Sequence, residues 1–312
     1  LLAVALPSLL ALAAALPVLV WNASRGWPTL AYHLGQRHTR PVGLSLENLG
    51  KLLGGQIGYL SPFILAGLVA AAWALWNRRT QDPEARFLLL CAASLLLPAC
   101  MLILLVPSAE PHWPAAGYLP LLVALGRYLP AWLAASRRAR ITTWLGAAFS
   151  ALVVVIFHLH VLTDLGVRLM PASYVPRYDL SNELRGWPQV AERLVSHTAA
   201  NPMPVAGCHY TTCAQLAFAA RGRYQVICPS PRRDQFDFSP GGDGSARRGI
   251  DLLYLYDERF PFKPEQLYRC TNSKPNLLET IQIHRAGRVV RNFRLYKCSN
   301  FQGLATDVWP PS

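Results

Sequence analysis

Five apolar runs constrain this chain more than any other feature, at about Leu1 to Val20, Ile57 to Trp76, Phe87 to Val106, Ala115 to Ala135 and Thr143 to Leu162. Each is close to the ~20 residues that a helix needs to cross a hydrocarbon core. Runs of this kind, with almost no charge between their ends, cannot all be buried as the core of a soluble domain. A multi-pass α-helical membrane protein with about five spans is therefore expected. Pro7, Pro17, Pro62, Pro98, Pro120 and Pro130 lie inside these runs. They do not argue against spans, because neighbouring helices can satisfy the backbone groups that a kink frees. Arg127 is the one charge deep in a run. It either snorkels to the boundary or faces a polar cavity in the bundle.

The loops Asn77 to Arg86 (NRRTQDPEAR) and Ser136 to Arg140 (SRRAR) hold paired arginines, which places them on the cytoplasmic side. Alternation then puts Trp21 to Lys51, Pro107 to Trp113 and everything after about Thr163 on the extracytoplasmic face. The chain divides into a helical bundle, residues 1–163, and an extracytoplasmic domain, residues 164–312. Lys and Arg outnumber Asp and Glu in both parts, 11 to 4 and 19 to 13, within a net charge of +13. Neither part contains a zinc finger, an RNP-type signature or a basic helix, so nucleic acid is not expected as a partner. An anionic membrane surface or a lipid phosphate accounts for the charge more simply. The sequence opens at Leu1 inside an apolar run, without an initiator Met or a basic leader, so its natural N-terminus is expected upstream.

After the fifth run the periodicity changes. Glu183 to Ala200 has helical spacing, and strand-like runs follow at Met203 to Ala206, Tyr224 to Cys228, Asp251 to Tyr256, Leu277 to Ile283 and Val289 to Tyr296. A helical piece at Thr212 to Ala220 lies between the first two. This alternation predicts a C-terminal extracytoplasmic α/β domain that closes on a hairpin around His284 to Arg288 (HRAGR). Pro229 to Arg248 reads as a long surface loop. Cys91 and Cys100 sit inside a span and serve as small apolar fillers. Cys208, Cys213, Cys228, Cys270 and Cys298 lie where disulfides are permitted, with the pairing left open. With no CxxC pair, Walker loop, GxGxxG or GxSxG, neither a cofactor nor a metal is expected.

Two stretches carry candidate chemistry. Trp21 to Arg40 packs Arg25, His33, Arg37, His38 and Arg40 among Trp21, Trp27 and Tyr32, directly after a span. Cations interleaved with aromatic rings at a membrane boundary suit an anionic head group. The plainer reading is an interfacial anchor. Arginines 37 and 40 lie on the outer face, against the general bias, and a site explains them better than a topology signal does. In the second stretch, PSAEPHWPAAGY, Glu110, His112 and Trp113 stand at the mouth of the next span beside Pro111 and Pro114, which stiffen the turn. A carboxylate and an imidazole two residues apart suit hydrogen bonding to a donor substrate. No further His or Cys stands at metal-ligand spacing.

These segments resemble the bacterial multi-pass GT-C glycosyltransferases, the superfamily of dolichyl-phosphate-mannose protein mannosyltransferases and the lipid A aminoarabinose transferase. The likeness rests on WN…GW…HLGQR from Trp21 to Arg37, on EPHWPAAGYL from Glu110 to Leu119, and on the outer segments ELRGW, CPSPRRDQFDF and FRLYKCSNFQG. It implies transfer of a sugar from a polyprenyl-phosphate donor to a lipid, protein or glycan acceptor, at the extracytoplasmic face of the bacterial inner membrane. In that family the catalytic acidic residue lies in the first outer loop, which is expected upstream of Leu1, so no residue here inherits the base role. The cations that would stabilise the departing phosphate are present as Arg25, Arg37 and Arg40, with His33, His38 and His112 as further donors. Glu47 and Glu110 are the only acidic side chains in the outer loops of the bundle half. The substrate contacts implied are Arg25, Arg37 and His112 for the donor, Trp27 and Trp113 as walls, and His33 and Glu110 beside them. The rival reading is a non-enzymatic transporter or receptor with an outer ligand-binding domain. A transporter would be expected to show internal repeats, and none is found.

Overall fold

The computed structural model describes residues 2–33, 43–207, 209–230, 234–238, 248–260, 263–271 and 275–305. By its contacts the chain forms two compact units, Leu1–Val153 and Val154–Pro311. The first unit is helical: α1 (Leu2–Ser24), α2 (Pro28–Ala31), α3 (Leu46–Arg78), α4 (Pro83–Leu105), α5 (Tyr118–Ala135) and the first part of α6 (Arg137–Leu162). All five apolar runs become helices. Among the described residues four segments are long and apolar enough to cross a membrane, Leu46–Arg78, Pro83–Leu105, Trp113–Ala135 and Arg137–Leu162. The described apolar part of α1, Leu9–Ser24, is shorter than a span.

The helix boundaries follow from capping. Asp82 accepts hydrogen bonds from the amides of Glu84 (2.9 Å) and Ala85 (3.2 Å), and Pro83 opens α4. Ser45 accepts from the Asn48 amide at 3.0 Å, so α3 begins at Leu46 rather than near Ile57, and Glu47 and Lys51 stand on a helix instead of in a loop. The Glu47 carboxylate in the first turn suits the positive end of the helix dipole. Within α3 the helix breaks at Ser61 (φ 63, ψ 152), next to Pro62, whose ring disfavours helical backbone in the residue before it. The core of the unit is Leu68, Ala71, Leu75, Ala85, Ala92, Leu121, Ala124 and Tyr128. Close helix contacts rely on glycine: a Cβ on Gly146 would stand 2.7 Å from the Phe63 Cβ, and one on Gly117 would stand 2.6 Å from the Leu96 Cγ. Arg127 makes a local ion pair, which neither reading of the sequence named. Its guanidinium holds Asp82 at 3.0 Å and Glu84 at 2.9 Å, the two carboxylates at the N-terminus of α4.

The second unit begins in the last turns of α6. It continues through α7 (Leu165–Leu169), α8 (Trp187–Thr198), β1 (Val205–Ala206), α9 (Tyr210–Ala220), β2 (Val226–Ile227), β3 (Leu252–Asp257), α10 (Pro264–Leu267), β4 (Tyr268–Cys270), β5 (Asn276–Arg285), β6 (Arg288–Cys298) and β7 (Phe301–Leu304). Its main sheet has the order β2-β1-β3-β6-β5, with β1 parallel to β2 and β3, and β6 antiparallel to β3 and β5. Trp187, Val190, Leu194 and Leu216 from α8 and α9 pack with Leu253, Leu255, Phe293 and Leu295. Tyr254, Tyr268, Tyr296 and Phe301 belong to a second buried cluster. With side chains of both parities covered, every residue of β3 is buried, which is why LLYLYD reads as a continuous run.

The expected hairpin is present. Arg285 pairs with Arg288, and Ala286 (φ 50) and Gly287 (φ 78) are both left-handed, as a two-residue primed turn requires. The small sheet β4–β7 was not expected, and a Cys270–Cys298 disulfide (Cα–Cα 5.6 Å) ties β4 to the end of β6. Cys213 and Cys228 are buried free thiols, and Cys208 lies outside the described residues. A hydrogen bond with Cys213 and burial both push the Cys228 thiol up, so it stays protonated and unreactive at neutral pH. Arg285, 2% exposed, anchors the hairpin: it donates to Ser181 (2.8 Å), Asn182 (2.8 Å) and the Thr163 carbonyl (2.9 Å), and also reaches the His160 carbonyl and the Asp164 carboxylate.

Candidate functional site

The first candidate stretch is a turn organised by Asn22. This residue, 5% exposed, donates from Nδ2 to the Val18 carbonyl (3.0 Å) and accepts at Oδ1 from the Thr29 amide (3.2 Å), while its own carbonyl takes the Trp27 amide at 2.8 Å. The chain turns through Gly26 (φ 72) and Trp27 (φ 58, ψ 49) in the left-handed region before Pro28 starts α2. Glycine takes that conformation freely, whereas a tryptophan does so only when its surroundings hold it there. The WN…GWP pattern thus has a structural cause. It leaves Arg25 exposed, with its guanidinium 5.0 Å from the Trp21 ring centre and 3.3 Å from the Ser24 hydroxyl. Among the described residues no carboxylate pairs with Arg25. His33 is half-buried, with its ring edge-on to Tyr32 at 5.1 Å. Arg37, like His38 and Arg40, lies outside the described residues.

The second stretch is a tight turn clamped by α3. Three polar side chains on the first turns of that helix reach backbone carbonyls at and beyond the end of α4: Asn48 to Leu104 (3.0 Å), Lys51 to Pro107 (2.9 Å) and Gln56 to Pro111 (2.7 Å). The Tyr118 hydroxyl donates to Gln56 Oε1 at 2.8 Å and so fixes the amide orientation. Gly55 allows the close approach, since a Cβ there would stand 2.4 Å from the Pro111 Cβ. A 3-10 turn over Trp113–Gly117 then feeds α5. Trp113 is half-buried and packs against Leu52, Ile103, Val106 and Ala109. It belongs to the support of the turn more than to an open wall. Glu110 and His112 stay exposed, and the His112 ring meets Tyr59 edge-on at 6.3 Å.

The structure therefore brings Glu110, His112 and Trp113 onto one rigid turn, and Arg25 and Trp27 onto another. No hydrogen bond or ion pair among the described residues links Arg25 or Trp27 to Glu110 or His112. Sequence reasoning missed Asn48, Lys51, Gln56 and Tyr59. The signal available was the polar spacing Asn48, Lys51, Gln56 ahead of an apolar run, which keeps them near one side of a helix once α3 is known to start at Leu46. Chemically, a carboxylate and an imidazole carried on one clamped turn can accept from and donate to hydroxyls, and an arginine beside an indole with no carboxylate partner among the described residues adds a delocalised positive charge. Among the described residues no three His, Cys, Asp or Glu side chains gather as metal ligands would. Comparison of the chain with protein-family models, with curated proteins and with solved structures finds no match.

Proposed function

We propose that this chain belongs to a membrane glycosyltransferase that takes a sugar from a polyprenyl-phosphate donor and passes it to a lipid, protein or glycan acceptor. The reaction is placed at the extracytoplasmic face of a bacterial inner membrane, an orientation supported by the paired arginines at 78 and 79 and at 137 and 138. The observation that carries the reading is the α3 clamp. An interfacial anchor needs aromatic rings at the boundary but has no need for three polar side chains fixing the carbonyls around an exposed carboxylate and imidazole. A turn whose backbone is held in this way is a support on which an enzyme can carry the polar groups that meet charge developing in the transition state.

In this reading Arg25 and Arg37 stabilise the departing phosphate, and His112 and Glu110 contact the donor. Trp27, His33 and Trp113 shape the boundary around them. No base is assigned. The test is consumption of polyprenyl-phosphate-linked sugar by the natural gene product in lipid, normalised to folded protein. Each charge-assisted contact is worth roughly 1.5 to 3 kcal/mol, so Arg25→Ala and His112→Ala should each lower turnover about ten- to a hundredfold. Arg25→Lys should recover only part of this, because a point charge does not reproduce a planar fork. Equal rates in all variants would leave both turns as membrane anchors.

A further inference from the structure

In the first unit α3 and α6 touch where Gly146 meets Phe63, where the Phe63 and Phe149 rings lie 5.6 Å apart, and where the Ser150 hydroxyl donates to the Ser61 hydroxyl at 3.3 Å. A groove of about 520 Å³ runs along α6 from this contact to Arg138 in its first turn. Small residues on α3, Ala66, Gly67 and Ala70, make room for it, and Leu125 and Trp132 of α5 line it from a third side. A second, more open depression continues over the same Ala66, Ala70 and Trp132 and ends at Arg78, in the last turn of α3.

Shape and charge define what fits. From Arg138 to Ser150 α6 rises roughly 18 Å at 1.5 Å per residue, so the groove averages roughly 29 Å² in cross-section. That admits one extended hydrocarbon chain. A helix, about 10 Å across, needs roughly 80 Å² and is too wide to enter. The two connections at the arginine end carry Arg78, Arg79, Arg86, Arg137, Arg138 and Arg140 against the carboxylates of Asp82 and Glu84, and Arg127 holds both of these. Among the described residues no carboxylate pairs with Arg78 or Arg138. The Arg78 guanidinium lies 5.3 Å from the Tyr128 ring centre, which leaves its charge uncompensated. An apolar slot for a chain thus opens at an end with a surplus of positive charge.

We propose that this groove holds one chain of an anionic two-chain phospholipid, with the head-group phosphate at Arg138 and the second chain in the depression that ends at Arg78. Lipid tails are as apolar as the groove wall, so burial alone gives this place no advantage over the surrounding bilayer. Selectivity comes from the arginines, each of which favours an anionic head group about fivefold near a membrane surface. A zwitterionic head group carries the same phosphate but no net charge, and gains little of this. The site needs only that the helices span a bilayer, and it is independent of sugar transfer.

The test is native mass spectrometry of the natural gene product released from detergent micelles, titrated with dioleoylphosphatidylglycerol and, separately, with dioleoylphosphatidylcholine. One phosphatidylglycerol should be retained, with at least tenfold higher affinity than phosphatidylcholine. Arg138→Gln should lower that affinity about fivefold, and Arg78→Gln combined with Arg138→Gln should bring it to the phosphatidylcholine value. Arg140→Gln, at the same end but outside the groove, should leave it unchanged. Ala70 lines both the groove and the depression, so Ala70→Phe should weaken both lipids. Arg138 is exposed, so its variant keeps the test valid even if Ala70→Phe fails to fold. Equal retention of the two lipids, a loss in Arg140→Gln as large as in Arg138→Gln, or a wild type that retains no lipid would each overturn the site. The second of these results would leave only a general attraction of the basic end to an anionic surface, and the third would mean that a protein neighbour covers the groove.

Discussion

Arg285 shows how one side chain can decide whether the second unit closes. It is 2% exposed and satisfies acceptors from three places, the end of α6, the 3-10 turn Leu180–Leu184 and the Asp164 carboxylate. Arg285→Met would leave the buried acceptors unpaired. Asp164 is 39% exposed and regains water, which limits the loss to about 2 to 3 kcal/mol. Thermal unfolding of the second unit should show the drop, and Arg285→Lys should restore only part of it. Asp179 provides a second residue-scale case with a defined sign. Burial pushes its carboxyl up, but hydrogen bonds from Ser181, Tyr174 and His160 outweigh burial and hold it below the ordinary 3.8. His160 at 2.9 Å, the Tyr174 hydroxyl at 2.6 Å and the Arg285 guanidinium at 3.9 Å are the titratable groups facing it. A carboxyl whose folded value lies below its unfolded value stabilises the fold above about pH 4, and that stability is lost as pH falls through the folded value. The unfolding midpoint should therefore fall on acidification from about pH 5 to pH 2, and Asp179→Asn should flatten that part of the curve. An unchanged slope in the variant would assign the acid sensitivity to other groups.

At the scale of elements, the clamp from α3 onto the 107–117 turn is the arrangement with the most to test. Gln56 touches no exposed group, yet it donates to the Pro111 carbonyl at 2.7 Å and accepts from Tyr118 at 2.8 Å. Gln56→Leu should leave two polar groups unpaired, at roughly 1 to 3 kcal/mol, and loosen the turn. Amide exchange at Trp113 and Ala115 should then rise, and donor consumption should fall about tenfold although no reacting group has been removed. Exchange and turnover both unchanged would show that the clamp does not position the site. The elements themselves were largely legible. Hydropathy located α3 to α6 because a spanning helix must be apolar over most of its length, and short strand-like runs, continuous in β3 and alternating in β5 and β6, located those strands. What escaped was polar and tertiary. The loop reads as far as Lys51 and the apolar run begins only at Ile57 because Glu47, Asn48, Lys51 and Gln56 interrupt the pattern, and the partners of Asn48, Lys51 and Gln56 on residues 104–111 explain those three. Tyr268–Cys270 and Phe301–Leu304 were too short to signal strands, and the Cys270–Cys298 bond depends on three-dimensional proximity that spacing does not encode. In the candidate site the residue types were readable, but which of them share a turn was not.

At the scale of the whole molecule, hydropathy and packing divide the chain at different places. The sequence changes character near residue 163, whereas the second compact unit begins at Val154, inside α6. The reason lies in two arginines. Arg285 binds the carbonyls of His160 and Thr163, and Arg185 binds that of Val161, so the free carbonyls at the end of a helix are capped by the domain that follows it. His160 extends the tie by bonding Asp179 through its ring at 2.9 Å. The last turns of α6 are then part of the second unit's fold, although they read as membrane helix. This can be tested by cutting. A piece spanning residues 158–305 omits the exposed Val154, Val155, Ile156 and Phe157 but keeps every one of these partners. With its Cys270–Cys298 bond formed, it should fold cooperatively in water. A piece spanning 170–305 keeps every described strand but strips Arg285 of the His160 and Thr163 carbonyls and of Asp164. With a buried guanidinium left short of acceptors, its melting midpoint should drop by roughly 5 to 15 °C, corresponding to about 2 to 3 kcal/mol in a domain of this size. Circular dichroism melts of the two pieces under the same oxidising conditions decide the matter. Equal midpoints would mean that the sheet domain is complete without the helix, and that its boundary lies where the hydropathy changes.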